Sequence, residues 1–227
     1  MALKLTFKLP DKLFLKDPQD SKYGHRLLSS AIVLIDELGF EKFTFKKLAI
    51  KMESSEVSIY RYFENKHLLL LYLNCWYWEW VCYLIDIQTS NIENPENKLR
   101  KAIHCMINAN LESELTDYIN ESKLFQIIMK ESSKSYHIAS VDEENKYGLY
   151  GPYKLLIGKV ASIIKEINPK FKYSRSLSST LYEMVNNQRF YVEHLPLLTS
   201  IRNKNKLKDL EKMVNHFAFA NIVYQPT

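Results

Sequence analysis

The sequence predicts an all-α protein, and three observations carry that prediction. Gly and Pro are scarce, 5 and 7 in 227 residues, too few for the turns of a β protein, whereas Leu, Lys, Glu, Ile and Ala suit helices. Apolar residues recur at three- and four-residue spacings in segment after segment, the period of a helix with one buried face. The breaks between those segments fall at Gly39, Pro95, Pro152, Pro169 and Pro196, residues that start or stop helices. No glycine-rich linker, internal repeat or low-complexity block intervenes.

Met1–Gln19 carries Lys4, Lys8, Lys12 and Lys16 at four-residue spacing, but Pro10 and Pro18 oppose one continuous helix. Such a tail is either a basic arm lying along DNA or a solvated, loosely docked extension, and the second is what tails usually are. The first helix begins at Asp20 or Ser21 and runs to Leu38, with Leu27, Leu28, Ala31, Leu34, Ile35 and Leu38 as its stripe. Gly39 ends it where a left-handed residue is needed. Thr44 can cap a short second helix whose inward face is Phe45, Leu48, Ala49 and Met52. Glu53-Ser54-Ser55 breaks that pattern, and either serine can cap the next segment. There Val57, Ile59, Tyr60 and Phe63 form an apolar set so short that it needs packing to persist. Two short helices at an angle, the second rich in Ser, Tyr and Arg on its free face, describe a helix-turn-helix reader of DNA.

A fourth helix starts at Asn65 or Lys66 and continues to near Gln88, with Trp76, Trp78 and Trp80 pointing different ways. A helix apolar all round must be surrounded. The fifth helix covers Pro95–Leu115 through Leu99, Ala102, Ile103, Met106, Ile107 and Leu111, and the sixth Tyr118–Ser132 through Leu124, Ile127 and Ile128. Residues 133–150 are polar and without a period, and read as a long connection. Helices at Pro152–Ile167, Ser176–His194 and Lys206–Val223 complete a set of nine.

Composition narrows the class. Apolar residues make up 46% and charged residues 25%, as in an ordinary globular chain, and 15 Tyr point to an aromatic-lined interior or interface. The net charge of +5 is mild, and residues 1–66 hold 12 Lys and Arg against 9 Asp and Glu; where those charges sit matters more than their total. Cys75, Cys82 and Cys105 are odd in number and form no Cys-x-x-Cys pair, so buried reduced thiols are expected rather than disulfides or a zinc knuckle. Lys4 and Lys8 interrupt the first residues and no cleavage site follows, so no signal peptide is expected. Leu68–Ile85 has membrane length but contains Asn74 and Glu79, which favours a buried helix over a spanning one. The expectation is a soluble cytoplasmic protein with no membrane partner.

Ala31, Gly39, Phe40, the Thr44 cap, Leu48-Ala49, Ser55, Ser58, Ile59-Tyr60, Tyr62-Phe63, Asn65-Lys66 and Leu68-Leu69 resemble the DNA-binding domain of the TetR/AcrR family of bacterial transcriptional regulators. The run Ser-Ile-Tyr-Arg-Tyr-Phe-Glu-Asn-Lys, residues 58–66, is its most specific part. The resemblance implies a tail over residues 1–20, a helix-turn-helix domain over 21–66 and a helical effector-binding and dimerisation domain over 67–227. It implies that Ser55, Glu56 and Ser58 face base edges and that Tyr60, Tyr62 and Lys66 reach phosphates. Arg61 would belong to the same surface, with Thr44 and Lys46 on the other side of the groove. The family's pattern has glycine at the position of Glu53 and an apolar residue at that of Ser54. Glutamate in a left-handed turn costs roughly 1 kcal/mol relative to glycine, and Glu53 and Glu56 both bring negative charge to DNA.

For the second half the resemblance implies an effector pocket, with Cys75, Trp76, Glu79, Cys82, Tyr83, Met106 and Asn110 as candidate lining, although plain core is the favoured reading of any one of them. Glu79 inside so apolar a helix must reach solvent, a base or a ligand. The last two long helices would pair with those of a second subunit through Leu181, Met184, Val185, Gln188, Tyr191, Met213, Phe217 and Ala220. The six histidines lack metal-like spacing and no phosphate-binding glycine loop or nucleophile elbow occurs, so no metal, cofactor or enzymatic activity is expected. The function implied is a ligand-responsive repressor that binds a near-palindromic operator as a homodimer and answers to a small apolar or aromatic effector. The alternative, motivated by Glu53 and Glu56, is a helical sensor or protein-interaction module whose DNA binding is weakened or lost.

Overall fold

The computed structural model describes residues 5–110, 116–202 and 204–223. Among them all regular structure is helical, with ten α-helices and no strand. These are α1 (Lys22–Leu38), α2 (Phe45–Lys51), α3 (Glu56–Tyr60), α4 (Lys66–Thr89), α5 (Pro95–Asn108), α6 (Glu121–Glu131), α7 (Val141–Lys146), α8 (Gly151–Ile167), α9 (Ser174–His194) and α10 (Lys206–Val223). The chain divides into two compact units, residues 1–79 with 110–152, and residues 80–109 with 153–227.

In the first unit, α1 buries Leu27, Leu28, Ala31, Ile32, Leu34 and Ile35. The Ser21 hydroxyl accepts from Gly24 N at its start, and at its end Gly39, with φ 76°, donates its N–H to Ile35 O at 2.8 Å. The side chains of Thr44, Ser55 and Asn120 likewise accept from the amides of Lys47, Ser58 and Lys123, capping α2, α3 and α6. The Asn120 cap starts α6 at Glu121, three residues later than its apolar period suggests.

α4 is 24 residues long, and Leu69 through Trp78 are all buried. Among the described residues it is the one helix long and apolar enough to cross a membrane, yet 78% of that window is buried in protein. Within the first unit Tyr72 meets Phe63 edge-on at 5.3 Å, and Tyr77 lies 6.1 Å from Phe125.

Two expectations are corrected here. Residues 133–150 are not one irregular connection: they contain α7, which buries none of its side chains and so leaves no apolar stripe to read. Its first turn is Asp142, Glu143 and Glu144, charges that suit a helix N-terminus. The N-terminal segment is not loosely docked either. Leu9 and Leu13 are buried, Phe7 meets Trp76 at 5.2 Å and Phe14 meets Tyr72 at 5.9 Å. The Gln19 amide accepts from Phe7 N at 3.0 Å and donates to Phe7 O at 2.8 Å, closing the segment into a loop.

In the second unit, Arg189 is buried and donates from Nη1 to Ile107 O at 2.6 Å, which joins α9 to the end of α5. Ser178 donates to Ile157 O and Asn168 to Ile222 O, tying α9 to α8 and α10 to the turn after α8. Trp80 donates from its indole to Ala109 O at 2.9 Å. α5 ends at Asn108, short of Leu115; Leu111 and the rest of 111–115 lie outside the described residues. The three cysteines are buried thiols.

The backbone of the N-terminal segment passes close to α1 at Gly24. A Cβ there would lie 2.2 Å from Pro18 O and 2.5 Å from Pro18 Cα, so only glycine lets the N-terminal segment cross α1. Gly24→Ala is expected to lower stability by about 2 kcal/mol, read as a drop in the urea midpoint. Gly158→Ala, whose methyl group meets Arg175 Nη1 no closer than 4.0 Å, should be tolerated in the same assay.

Candidate nucleic-acid interface

α2 and α3 form a helix-turn-helix whose turn is a complete C-terminal capping motif. Ser54 N donates to Ala49 O at 2.9 Å and Glu53 N to Ile50 O at 3.1 Å, the paired bonds that close a helix through one left-handed residue. That residue is Glu53, with φ 48°, the one non-glycine with positive φ among the described residues. The turn therefore has the shape that favours glycine and holds a glutamate. Ser54, in place of an apolar residue, shares a hydrogen bond with the Tyr23 hydroxyl at 2.9 Å.

α3 is five residues long and is held by Ile59, which is fully buried, and by Phe63 beyond its end. Ser55 and Ser58 share a hydroxyl hydrogen bond of 2.9 Å across its first turn. Thr44, Lys46, Ser55 and Arg61 are exposed, and Glu56 and Ser58 half-exposed. Tyr60 is 47% exposed with its ring against Phe45 at 5.0 Å, half core and half surface.

Three residues depart from their expected places. Val57 does not pack with Ile59 and Phe63; it is 65% exposed, because five residues leave room for only one inward apolar side chain. Tyr62 is buried rather than projecting, with its hydroxyl 2.9 Å from Ser21 Oγ and its ring stacked on Tyr23 at 5.5 Å. Lys66 Nζ donates to the carbonyls of Phe40, Glu41 and Phe43 at 3.0, 3.2 and 3.2 Å, so its ammonium is engaged by the α1–α2 corner. On that corner Phe40 N donates to Glu131 Oε1 at 3.1 Å, and Lys134 bridges Glu131 and Glu41 at 2.8 and 2.9 Å. The hydrogen bond from Lys134, and then its charge, holds the Glu41 carboxyl below its usual range.

The candidate effector residues are split between the units: Cys75, Trp76, Glu79 and Asn110 belong to the first, Cys82, Tyr83 and Met106 to the second. Cys75 is buried, its thiol donates to Leu149 O at 3.2 Å, and burial pushes its pKa well up. Trp76, Cys82 and Met106 are buried; Glu79, Tyr83 and Asn110 are half-exposed, and Tyr83 stacks on Trp80 at 5.7 Å. An open groove of about 740 Å³ in the second unit is lined by other residues, among them Asp86, Lys98, Lys154, Lys159 and Arg175. Of the candidate dimer residues, Leu181 and Val185 are buried in their own unit, and Met184, Gln188, Tyr191 and Met213 are half-buried. Phe217, at 44%, and Ala220 face outward.

No family model matches the chain, and no curated protein matches its sequence. Solved structures do. The fatty acid degradation regulator FadR from Bacillus halodurans aligns with a TM-score of 0.59 at 16% identity, over 88% of this chain and 96% of that one. AibR in complex with isovaleryl coenzyme A and operator DNA aligns at 0.55 and 15% identity, over 85% and 96%. PfmR, a TetR family transcriptional regulator from Thermus thermophilus, aligns at 0.53 and 14% identity, over 89% and 100%. The chain has the all-α fold of TetR family regulators.

Two stability changes test this geometry. Glu53→Gly relieves the left-handed strain at φ 48° and should stabilise by about 1 kcal/mol in a urea titration. Lys66→Met removes three charge-assisted hydrogen bonds and should cost about 2 kcal/mol; a lysine serving phosphates alone would change stability by less than about 0.5 kcal/mol.

Proposed function

We propose that this chain is a DNA-binding transcriptional regulator that acts in the cytoplasm as a homodimer on a near-palindromic operator. The observation that carries this reading is the helix-turn-helix itself: two capped helices, one buried anchor at Ile59, and an outward face of Ser55, Val57, Ser58 and Tyr60 beside Lys46 and Arg61. Inserted in a major groove, α3 presents hydroxyls for base edges and, in Val57, a methyl-bearing side chain suited to a thymine methyl. Tyr60, Arg61, Lys46 and Thr44 serve the phosphates, which set affinity and orientation without reading sequence. Tyr62 and Lys66 act by shaping the turn and the α1–α2 corner.

The chain is responsive to a small apolar or aromatic effector and loses its operator when that effector binds. AibR, which shares the fold, is described with isovaleryl coenzyme A and operator DNA together, and that supports a dual-ligand reading. A ligand can act only through different affinity for two arrangements of the reading helices. α10 and the end of α9 supply the second copy's docking face, with Phe217 and Ala220 as outward members. A second reading rests on Glu53 and Glu56: with strain in the turn and negative charge at the groove, the chain would be a helical sensor or interaction module.

Selection of bound duplexes from a random pool separates the two. A regulator enriches a sequence with half-sites about one helical turn, or a multiple, apart; no salt-sensitive complex at low salt leaves only the sensor. Ser58→Ala should then relax preference at one position, worth about 1–3 kcal/mol of discrimination, while Tyr60→Ala weakens all sequences alike.

A further inference from the structure

The docked N-terminal segment brings charge to a particular place. Leu15 N donates to Tyr62 O at 2.8 Å, so the segment runs beside the exit of α3. The next residue, Lys16, holds its ammonium 5.4 Å from the centre of the Tyr62 ring. Tyr62 is stacked on Tyr23 at 5.5 Å with 21° between the planes, and the Arg26 guanidinium lies 5.6 Å from the Tyr23 ring. The four side chains make a ladder: lysine, ring, ring, arginine. Both rings are fixed at their far ends, Tyr62 by the Ser21 hydroxyl and Tyr23 by the Ser54 hydroxyl, each at 2.9 Å. Ser54 lies in the turn before α3 and Tyr62 just after it, so the ladder reaches from the entry of the reading helix to its exit.

The chemistry of the ladder is unusual for a structural contact. Lys16 and Arg26 are exposed and form no ion pair among the described residues. An aromatic face orients a cation without neutralising it, so both charges stay available to an anion. A structural salt bridge would have spent them. Leu9 and Leu13, both buried, together with the Gln19–Phe7 loop, fix the backbone that carries Lys16, which makes the lysine part of a built surface rather than of a waving tail.

We infer that Lys16 and Arg26, held by Tyr62 and Tyr23, form a phosphate-binding strip that widens the DNA contact beyond the helix-turn-helix. The partner is the sugar–phosphate backbone of duplex DNA. The inference rests on the DNA-binding reading. The strip carries affinity and register but no sequence preference.

The test is the salt dependence of binding to a random-sequence duplex of about 30 base pairs, long enough for nonspecific contact and free of any need to know the operator. The full chain is compared with Lys16→Gln/Arg26→Gln. Two lost phosphate contacts reduce the slope of log K against log salt by about 1.8, so that raising salt fourfold costs the double variant about 12-fold less affinity than it costs the wild type. Arg26→Lys alone should keep the slope, since it keeps the charge, and so should Lys170→Gln on the second unit. Thermal melting of each variant reports whether the fold is intact, and both test positions are exposed. A wild-type slope retained by the folded double variant overturns the strip and leaves the DNA-binding reading standing. Absence of any wild-type complex at low salt overturns both.

Discussion

A single ammonium group organises the first unit. The corner between α1 and α2 turns the chain within six residues, Gly39 to Thr44, and leaves backbone carbonyls that neither helix can satisfy. Lys66 collects three of them, and Glu131 takes the Phe40 amide from the other side. The first residue of α4 and the last of α6 thus grip one corner. Losing the Glu131 contact leaves the buried Phe40 amide without that partner, the costly half of the hydrogen-bond balance. Because the corner sets where α2 begins, the aim of the helix-turn-helix follows from the positions of α4 and α6.

The same corner explains why Tyr62 turned inward. With Lys66 occupied by the loop and α3 only five residues long, the chain leaves α3 toward the N-terminal segment, where Leu15 N donates to Tyr62 O. The buried ring then becomes a platform for Tyr23 and Lys16 instead of a phosphate ligand itself. Lys16, which precedes α1, and Arg26, which lies on it, thus add to the exposed charge of Lys46 and Arg61 near α3. This placement depends on Gly24, where the segment passes so close to α1 that no side chain fits.

What the sequence makes legible is local. The caps of α1, α2 and α3 are serines and threonine acting on amides three residues ahead, and the stripe of α1 repeats at helical period; both can be read from neighbours alone. The left-handed turn is legible only through the family resemblance, which puts glycine where this chain has Glu53. Contacts across 23 to 26 residues, such as those of Lys66, or across 91, as between Phe40 and Glu131, carry no such signature. α7 escaped because it has no buried face, and Val57 was misplaced because an apolar residue in a very short helix has no second turn to confirm its direction. The docking of residues 5–20 includes Gln19 closing back on Phe7, a pairing that a separation of twelve positions conceals.

Glu53 is the place where these levels meet. Its left-handed conformation is enforced by two backbone hydrogen bonds that close α2, so the strain cannot be relaxed without opening the turn. The turn is itself fastened to α1 through Ser54 and Tyr23, the same tyrosine that carries Arg26. A destabilising residue therefore sits inside a well-braced motif, and its exposed carboxylate lies next to a serine that holds one end of the cationic ladder. In the proposed DNA complex a carboxylate at this edge lowers affinity for phosphate without removing the orienting contacts. Weaker nonspecific attraction raises the ratio of specific to nonspecific binding when base contacts are unchanged, because the nonspecific complex is almost wholly electrostatic. In the proposed DNA complex the Glu53 carboxylate opposes phosphate where the Lys16–Arg26 strip attracts it.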